Sequence, residues 1–280
     1  MSPVARRLGA FTLVLAGTFG TAYAAGEQLP GHSHTSTDDH AGDDHATDDH
    51  VGEEDSHEHS EMDMGGPVPA GSESGGYQLV NDGVSDGIAR FHLNGEDGAT
   101  VTNFTEAHGA VLHTIIIRRD LSDFNHVHPT IGVDGSWSVE MPAPGPWHVV
   151  FDSTPTGESG PIVVSANLDD EVAVDTVALP APSDTVEVDD MVVTRVGFTF
   201  MLEAADGGPV TGLEPYLGQS SHLVAIRQGD LAYTHLHPGA DMADMFMFGG
   251  GITDPGTYRM FLQFGRNGEV LTIPFTVVIS

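Results

Sequence analysis

"HTIIIRRDLSDFNHVHP", residues 113–129, returns as "HLVAIRQGDLAYTHLHP", residues 222–238. Each stretch opens on a histidine and places His-x-His-Pro thirteen positions later, with two runs of strand-forming residues around a polar turn. In the second copy Gly229-Asp230 is a hairpin turn signal, and centring the hairpin there sets His222 opposite His237, Val224 opposite His235 and Ile226 opposite Tyr233. Centring the first on Asp120-Leu121 pairs His113 with His128, Ile115 with His126 and Ile117 with Phe124. Any turn with an even number of residues keeps the three histidines of a copy on one face. Residues i and i+2 of a strand leave the same face about 7 Å apart at Cα, and the opposed residue lies about 5 Å across the pair.

The repetition extends beyond these segments. At a constant offset, Phe91 maps onto Phe200, Asp97-Gly98 onto Asp206-Gly207, Val101-Thr102 onto Val210-Thr211 and Gly109 onto Gly218. After a two-residue shift, "PGPWHVVF" (144–151) lies on "PGTYRMFL" (255–262). The chain is a tandem duplication. Both copies consist of short runs rich in Val, Ile, Phe and Thr, punctuated by Gly, Asp and Pro, with almost no helical periodicity. The expected fold is all-β, two tandem immunoglobulin- or cupredoxin-like β-sandwiches over residues 77–167 and 185–280, with residues 168–184 as linker.

Ahead of the first sandwich stand two segments of different character. Arg6-Arg7, an apolar run and "AYA" ending at Ala24 read as a signal peptide over residues 1–24, cleaved after Ala24, so the expected location is secreted or extracytoplasmic. Residues 25–76 have almost no large apolar side chains and are expected to be disordered. They carry "DDHAGDDHATDDH" (38–50) and "HEHSEMDM" (57–64), a His/Asp tract that suits metal capture through His40, His45, His50, His57 and His59.

The formal charge is -32, from 41 acidic residues against 9 basic ones. All the cations are arginine. Such a surface repels nucleic acid and attracts cations, which excludes nucleic-acid binding; no stretch is long and apolar enough to serve as an integral membrane span. With no cysteine, a blue-copper site of two histidines and one cysteine cannot be built.

The candidate metal ligands are therefore His113, His126, His128, His222, His235 and His237, three imidazoles per hairpin able to converge on one ion. Opposite them lie Thr114, Arg118, Asp123 and Asn125 in one copy and Arg227 and Thr234 in the other, so the histidine face is expected to look into its own sandwich, at one end of each core. Either a metal takes the ring lone pairs, or neutral rings bond backbone carbonyls and one another. His108 is near enough in sequence to reach the first site. Met242, Met245 and Met247 follow His237, and their thioethers favour copper over zinc, which remains the alternative ion.

The quoted hairpins, with "YLGQSS" before the second, resemble the signature segments of uncharacterised secreted proteins of actinobacterial type. Those proteins have a His-rich leader before tandem immunoglobulin- or cupredoxin-like domains, and are similar in spirit to YtkA-like, heavy-metal-associated domains. The resemblance implies metal association, copper by analogy, and no established reaction. The reading is a non-catalytic metal-binding protein for buffering, resistance or delivery, its partners being metal ions and another extracytoplasmic metal-handling protein. Two alternatives stand beside it: an adhesive or structural tandem module with structural histidines, and a three-histidine metalloenzyme. No catalytic residue is assigned.

Overall fold

The computed structural model describes residues 66–107, 109–168, 174–242 and 244–280, the side chains of residues 240 and 241 excepted. The signal-peptide segment, residues 25–65 with His40, His45, His50, His57 and His59, and also His108, lie outside the described residues. Among the described residues the secondary structure is all β, every strand pairing is antiparallel, and no helix is long and apolar enough to cross a membrane.

The first copy contributes β1 (Glu73–Ser74), β2 (Tyr77–Ser85), β3 (Ile88–Asn94), β4 (Phe104–Thr105), β5 (His113–Arg118), β6 (Phe124–Val127), β7 (Ser136–Glu140), β8 (Trp147–Pro155) and β9 (Ile162–Leu168). One sheet has the order β1-β2-β3-β7; the other has the order β4-β8-β5-β6, with β9 also on β8. The second copy contributes β10 (Thr185–Val188), β11 (Met191–Val196), β12 (Thr199–Ala204), β13 (Leu213–Glu214), β14 (His222–Arg227), β15 (Tyr233–Leu236), β16 (Pro238–Met242), β17 (Met245–Phe248), β18 (Gly256–Arg266) and β19 (Glu269–Ile279). Its sheets run β10-β11-β12-β17-β16 and β13-β18-β14-β15, with β19 on β18. Each pair of sheets encloses a core, built around Phe91, Trp137 and Phe151 in the first sandwich and around Phe200, Phe264 and Phe275 in the second.

A third apolar cluster joins the two sandwiches. Ile115, Ile117, Leu121 and Val150 of the first copy pack with Val224, Ile226, Tyr233 and Phe261 of the second, and the Phe124 ring stacks on Phe261 at 4.1 Å between centroids. This corrects the expected direction of the histidine face. Leu112 and Ile116 fill the first sandwich, as Leu223 and Ala225 fill the second. The alternate residues, Ile115 and Ile117 with His113, or Val224 and Ile226 with His222, face the opposite sandwich. Strands β5 and β14 are buried on both sides, and the polar residues that suggested an outer face lie mostly toward the turn end of each hairpin.

Both hairpins keep the expected pairing, Ile115 with His126 and Ile117 with Phe124, then Val224 with His235 and Ile226 with Tyr233. The loops differ from the two-residue turns expected. Arg118 N–H donates to Asp123 and Arg227 N–H to Ala232, leaving four residues in each loop. Four is even, so the register survives. Each loop holds a leucine in the left-handed region, Leu121 at φ 63° and Leu231 at φ 60°, a conformation costing about 1–3 kcal/mol, and both side chains pack on the shared cluster.

The N-terminal boundary is also corrected. Residues 66–76, expected to be disordered, are tied to the fold: Val68 bridges Tyr233, Ser165 N–H donates to Gly71, and β1 pairs with β2. Few of these residues are apolar, and backbone hydrogen bonds hold the segment instead.

Candidate metal centre

Because the histidine faces oppose one another, the two three-histidine groups, whose separate or shared use the sequence left open, form one cluster of six imidazoles between the sandwiches. The His113 ring lies 5.2 Å from that of His235, and the His126 ring lies 5.3 Å from His222 and 5.1 Å from His235, centroid to centroid. The donor atoms of His113, His126 and His235 all lie within 4.8 Å of one another, and so do those of His222, His235 and His237. The first grouping departs from the sequence expectation: His235 stands where His128 was placed. His128 remains beside it, Nε2 2.9 Å from His113 Nδ1, at the partly exposed rim.

The far nitrogens of His113, His222 and His126 are hydrogen-bonded, the first two alike in the two copies. His113 Nε2 lies 3.1 Å from the Ala107 carbonyl and His222 Nε2 lies 2.9 Å from the Tyr216 carbonyl, matching positions of the repeat. A carbonyl only accepts, so Nε2 bears the proton and each Nδ1 carries a lone pair into the cluster. His126 donates from Nδ1 to Gln263 Oε1 at 3.0 Å, while the Gln263 amide nitrogen donates to Thr272 at 2.9 Å. His126 Nε2 is thereby left as an acceptor. His235 turns Nδ1 to 3.9 Å from the Asp152 carboxylate, which accepts the Tyr233 hydroxyl at 3.3 Å.

The inward nitrogens then meet in pairs. His113 Nδ1 is 3.4 Å from His126 Nε2, and His222 Nδ1 is 3.2 Å from His235 Nε2. In the first pair two lone pairs face each other and cannot hydrogen-bond; in the second, His222 Nδ1 accepts from His235 Nε2 when that nitrogen bears the ring proton. Two nitrogens held at 2.0–2.1 Å by one tetrahedral ion, however, are separated by about 3.3 Å. Two of the rings are also held neutral, as ligands must be. Burial, reinforced by His235, His222, His113 and His128, holds His126 well below the usual histidine range, and burial followed by His113 and His222 brings His128 down to about 4.

A family model described as "Domain of unknown function (DUF8832)" matches residues 183–280, the second sandwich with its hairpin. No curated protein matches. Among solved structures, the chain is similar to a biofilm-associated protein BSP domain at 16% identity and TM-score 0.19, over 77% of this chain and 30% of that one. It is similar to the chicken CNTN1 FN1-FN3 domains at 10% identity and TM-score 0.18, over 76% of this chain and 68% of that one. The chain thus spans under a third of the length of the first of these.

Met245 and Met247 lie on β17, which pairs with β12 in the sheet facing away from the histidine hairpin, and Met242 is an exposed residue of β16. The donor groups that converge at the junction among the described residues are imidazoles. His148, buried on β8, bonds Asn167 at 2.8 Å, and His92 bonds Asp82 at 2.9 Å; both stand apart from the cluster.

Asp152 and Gln263 escaped the sequence reading. They are equivalent under the two-residue shift, and each pairs across the sheet with the first histidine of its own copy, Asp152 with His113 and Gln263 with His222. Extending the shifted match by one residue beyond "PGPWHVVF" would have found them.

Proposed function

We propose that this protein is an extracytoplasmic metal-binding protein that takes up copper or zinc at the junction of its two sandwiches, for buffering, resistance or delivery. One observation carries the reading: imidazole nitrogens paired 3.2–3.4 Å apart, the opposite nitrogens of His113, His222 and His126 bonded to carbonyl and amide oxygens and that of His235 turned toward a carboxylate 3.9 Å away. Such outer partners orient the rings and raise their basicity toward an ion. Imidazole suits copper and zinc alike, so the donor set supports both ions. The His/Asp leader, in this reading, collects ions at low affinity ahead of the folded site.

The test is titration of the full chain, its leader histidines between 32 and 59 replaced by alanine, with Cu(II) and Zn(II) in competition with a chelator. Tight binding lost in His126→Ala and His235→Ala is the expected result. Binding unchanged by both substitutions removes the cluster from the function.

A second reading is favoured by the 2.9 Å contact of His128 with His113, a length at which one imidazole can donate to the other. In that reading the histidines staple two sandwiches of a structural or adhesive module. It requires a melting temperature that does not move when metal is added, whereas an ion bound to the folded form raises it.

A further inference from the structure

We propose that the cluster holds one transition-metal ion at a time and passes it between two adjoining positions that pivot on His235. The outer position is His222, His235 and His237; the inner is His113, His126 and His235. This rests on the metal-binding reading above and adds stoichiometry and a route of exchange.

The shared residue decides the stoichiometry. His235 belongs to both groups, and with Nδ1 turned to Asp152 it presents Nε2 to the cluster, 3.2 Å from His222 Nδ1. One nitrogen lone pair binds one ion. Electrostatics acts in the same direction: imidazole ligands bring no negative charge, and the carboxylate beside His235, Asp152, would offset one positive charge, so two divalent ions side by side would still repel. The equivalent residue of the first copy, His126, faces the neutral amide of Gln263. A carboxylate behind the ring makes His235 the more basic ligand and the natural pivot.

Burial decides the direction. His113 and His126 are each 5% exposed, and His222 is 0%. Among the residues belonging to one group alone, only His237 is partly exposed, so the outer group lies nearer water than the inner one, whose partly exposed neighbour is His128. Movement inward exchanges His222 and His237 for His113 and His126 while His235 stays bound. Three imidazoles hold the ion before and after, with no change of charge or oxidation state, and the exchange needs no co-reactant.

The experiment uses the full chain with its leader histidines replaced by alanine, loaded with Zn(II). Native mass spectrometry counts bound ions, and stopped-flow mixing with a chelator measures their removal. One tightly bound ion is expected in the parent chain. His237→Ala should keep that ion with affinity changed only severalfold but slow its removal severalfold or more, while His126→Ala should hasten removal. His235→Ala should abolish tight binding, with His235→Gln as the variant that preserves more of the packing. Two tight ions in the parent, or removal rates unaffected by His237→Ala, overturn the single-ion relay and leave the metal-binding reading standing. No ion at all in the parent overturns that reading itself.

Discussion

Asp152 and Gln263 occupy the same place in the two copies, each opposite the first histidine of its own hairpin, and each turns to a histidine of the other sandwich. Gln263 accepts from His126 at 3.0 Å and Asp152 approaches His235 at 3.9 Å. The two sandwiches are therefore interlocked through reciprocal contacts behind the imidazoles as well as through apolar packing. The reciprocity is chemically unequal, carboxylate on one side and amide on the other.

That inequality makes a prediction. Asp152→Asn removes the charge behind His235 while keeping its shape, and should lower metal affinity about 10–100-fold, the usual effect of losing a partner behind a ligating histidine. Gln263→Glu places a second carboxylate and should raise it. Chelator competition on the full chain with leader histidines replaced reads both. Equal affinities for all three proteins would show that the carboxylate does not act through the imidazole.

The metal-free fold should be acid-labile in a defined window. His126 and His128 are held below the usual 6.5, so above that value neither the folded nor the unfolded chain protonates them and stability is complete. As pH falls through 6.5 the unfolded chain binds protons that the folded one refuses, and stability declines. The decline from His128 ends near its folded value of about 4, while His126 continues it further down. Urea midpoints measured in chelator between pH 7.5 and 4.5 should fall steadily below 6.5. A flat profile would mean that the rings are not held neutral.

The shared cluster separates the fold's stability from the site's integrity. Phe261 stacks on Phe124 across the junction, whereas Phe264 lies within the second core. Either residue changed to alanine should cost about 3–5 kcal/mol, measured by denaturant unfolding. Only Phe261→Ala should also weaken metal binding under conditions where both variants stay folded, because it loosens the two hairpins against each other. Equal loss of affinity in the two variants would count against a junction site.

The hairpins were legible in the sequence because strand alternation and turn parity are local. Val224 pairs with His235 as the pattern requires, and a four-residue loop in place of a two-residue turn leaves that pairing intact. What lies behind the pairing was not legible. Whether the Ile115 face meets its own core or another sandwich depends on contacts over a hundred residues away, and the polar ends of β5 and β14 obscured the apolar Leu112, Ile116 and Leu223 that claim the inner face. For the same reason three histidines per copy were visible, but their merging into one cluster was not. Nor was the replacement of His128 by His235 in the first group.

The Tyr233 hydroxyl supports Asp152 and permits a finer test of this arrangement. Its ring is 3% exposed in the shared cluster, and its O–H donates to Asp152 at 3.3 Å; burial, then the Asp152 charge and this bond, raise its ionisation well above the usual 10, so the proton stays on the phenol. Tyr233→Phe keeps the ring packing and removes one donor. The expected cost in stability is about 1 kcal/mol, the net worth of a single hydrogen bond. Metal affinity should fall less than in Asp152→Asn, since the carboxylate keeps its charge and loses only a contact that holds it toward His235. Combining the two substitutions should give little beyond Asp152→Asn alone, because the hydroxyl acts through the carboxylate, and a double-mutant cycle on metal affinity measures that coupling directly. Fully additive losses would show that Tyr233 influences the imidazoles by another route.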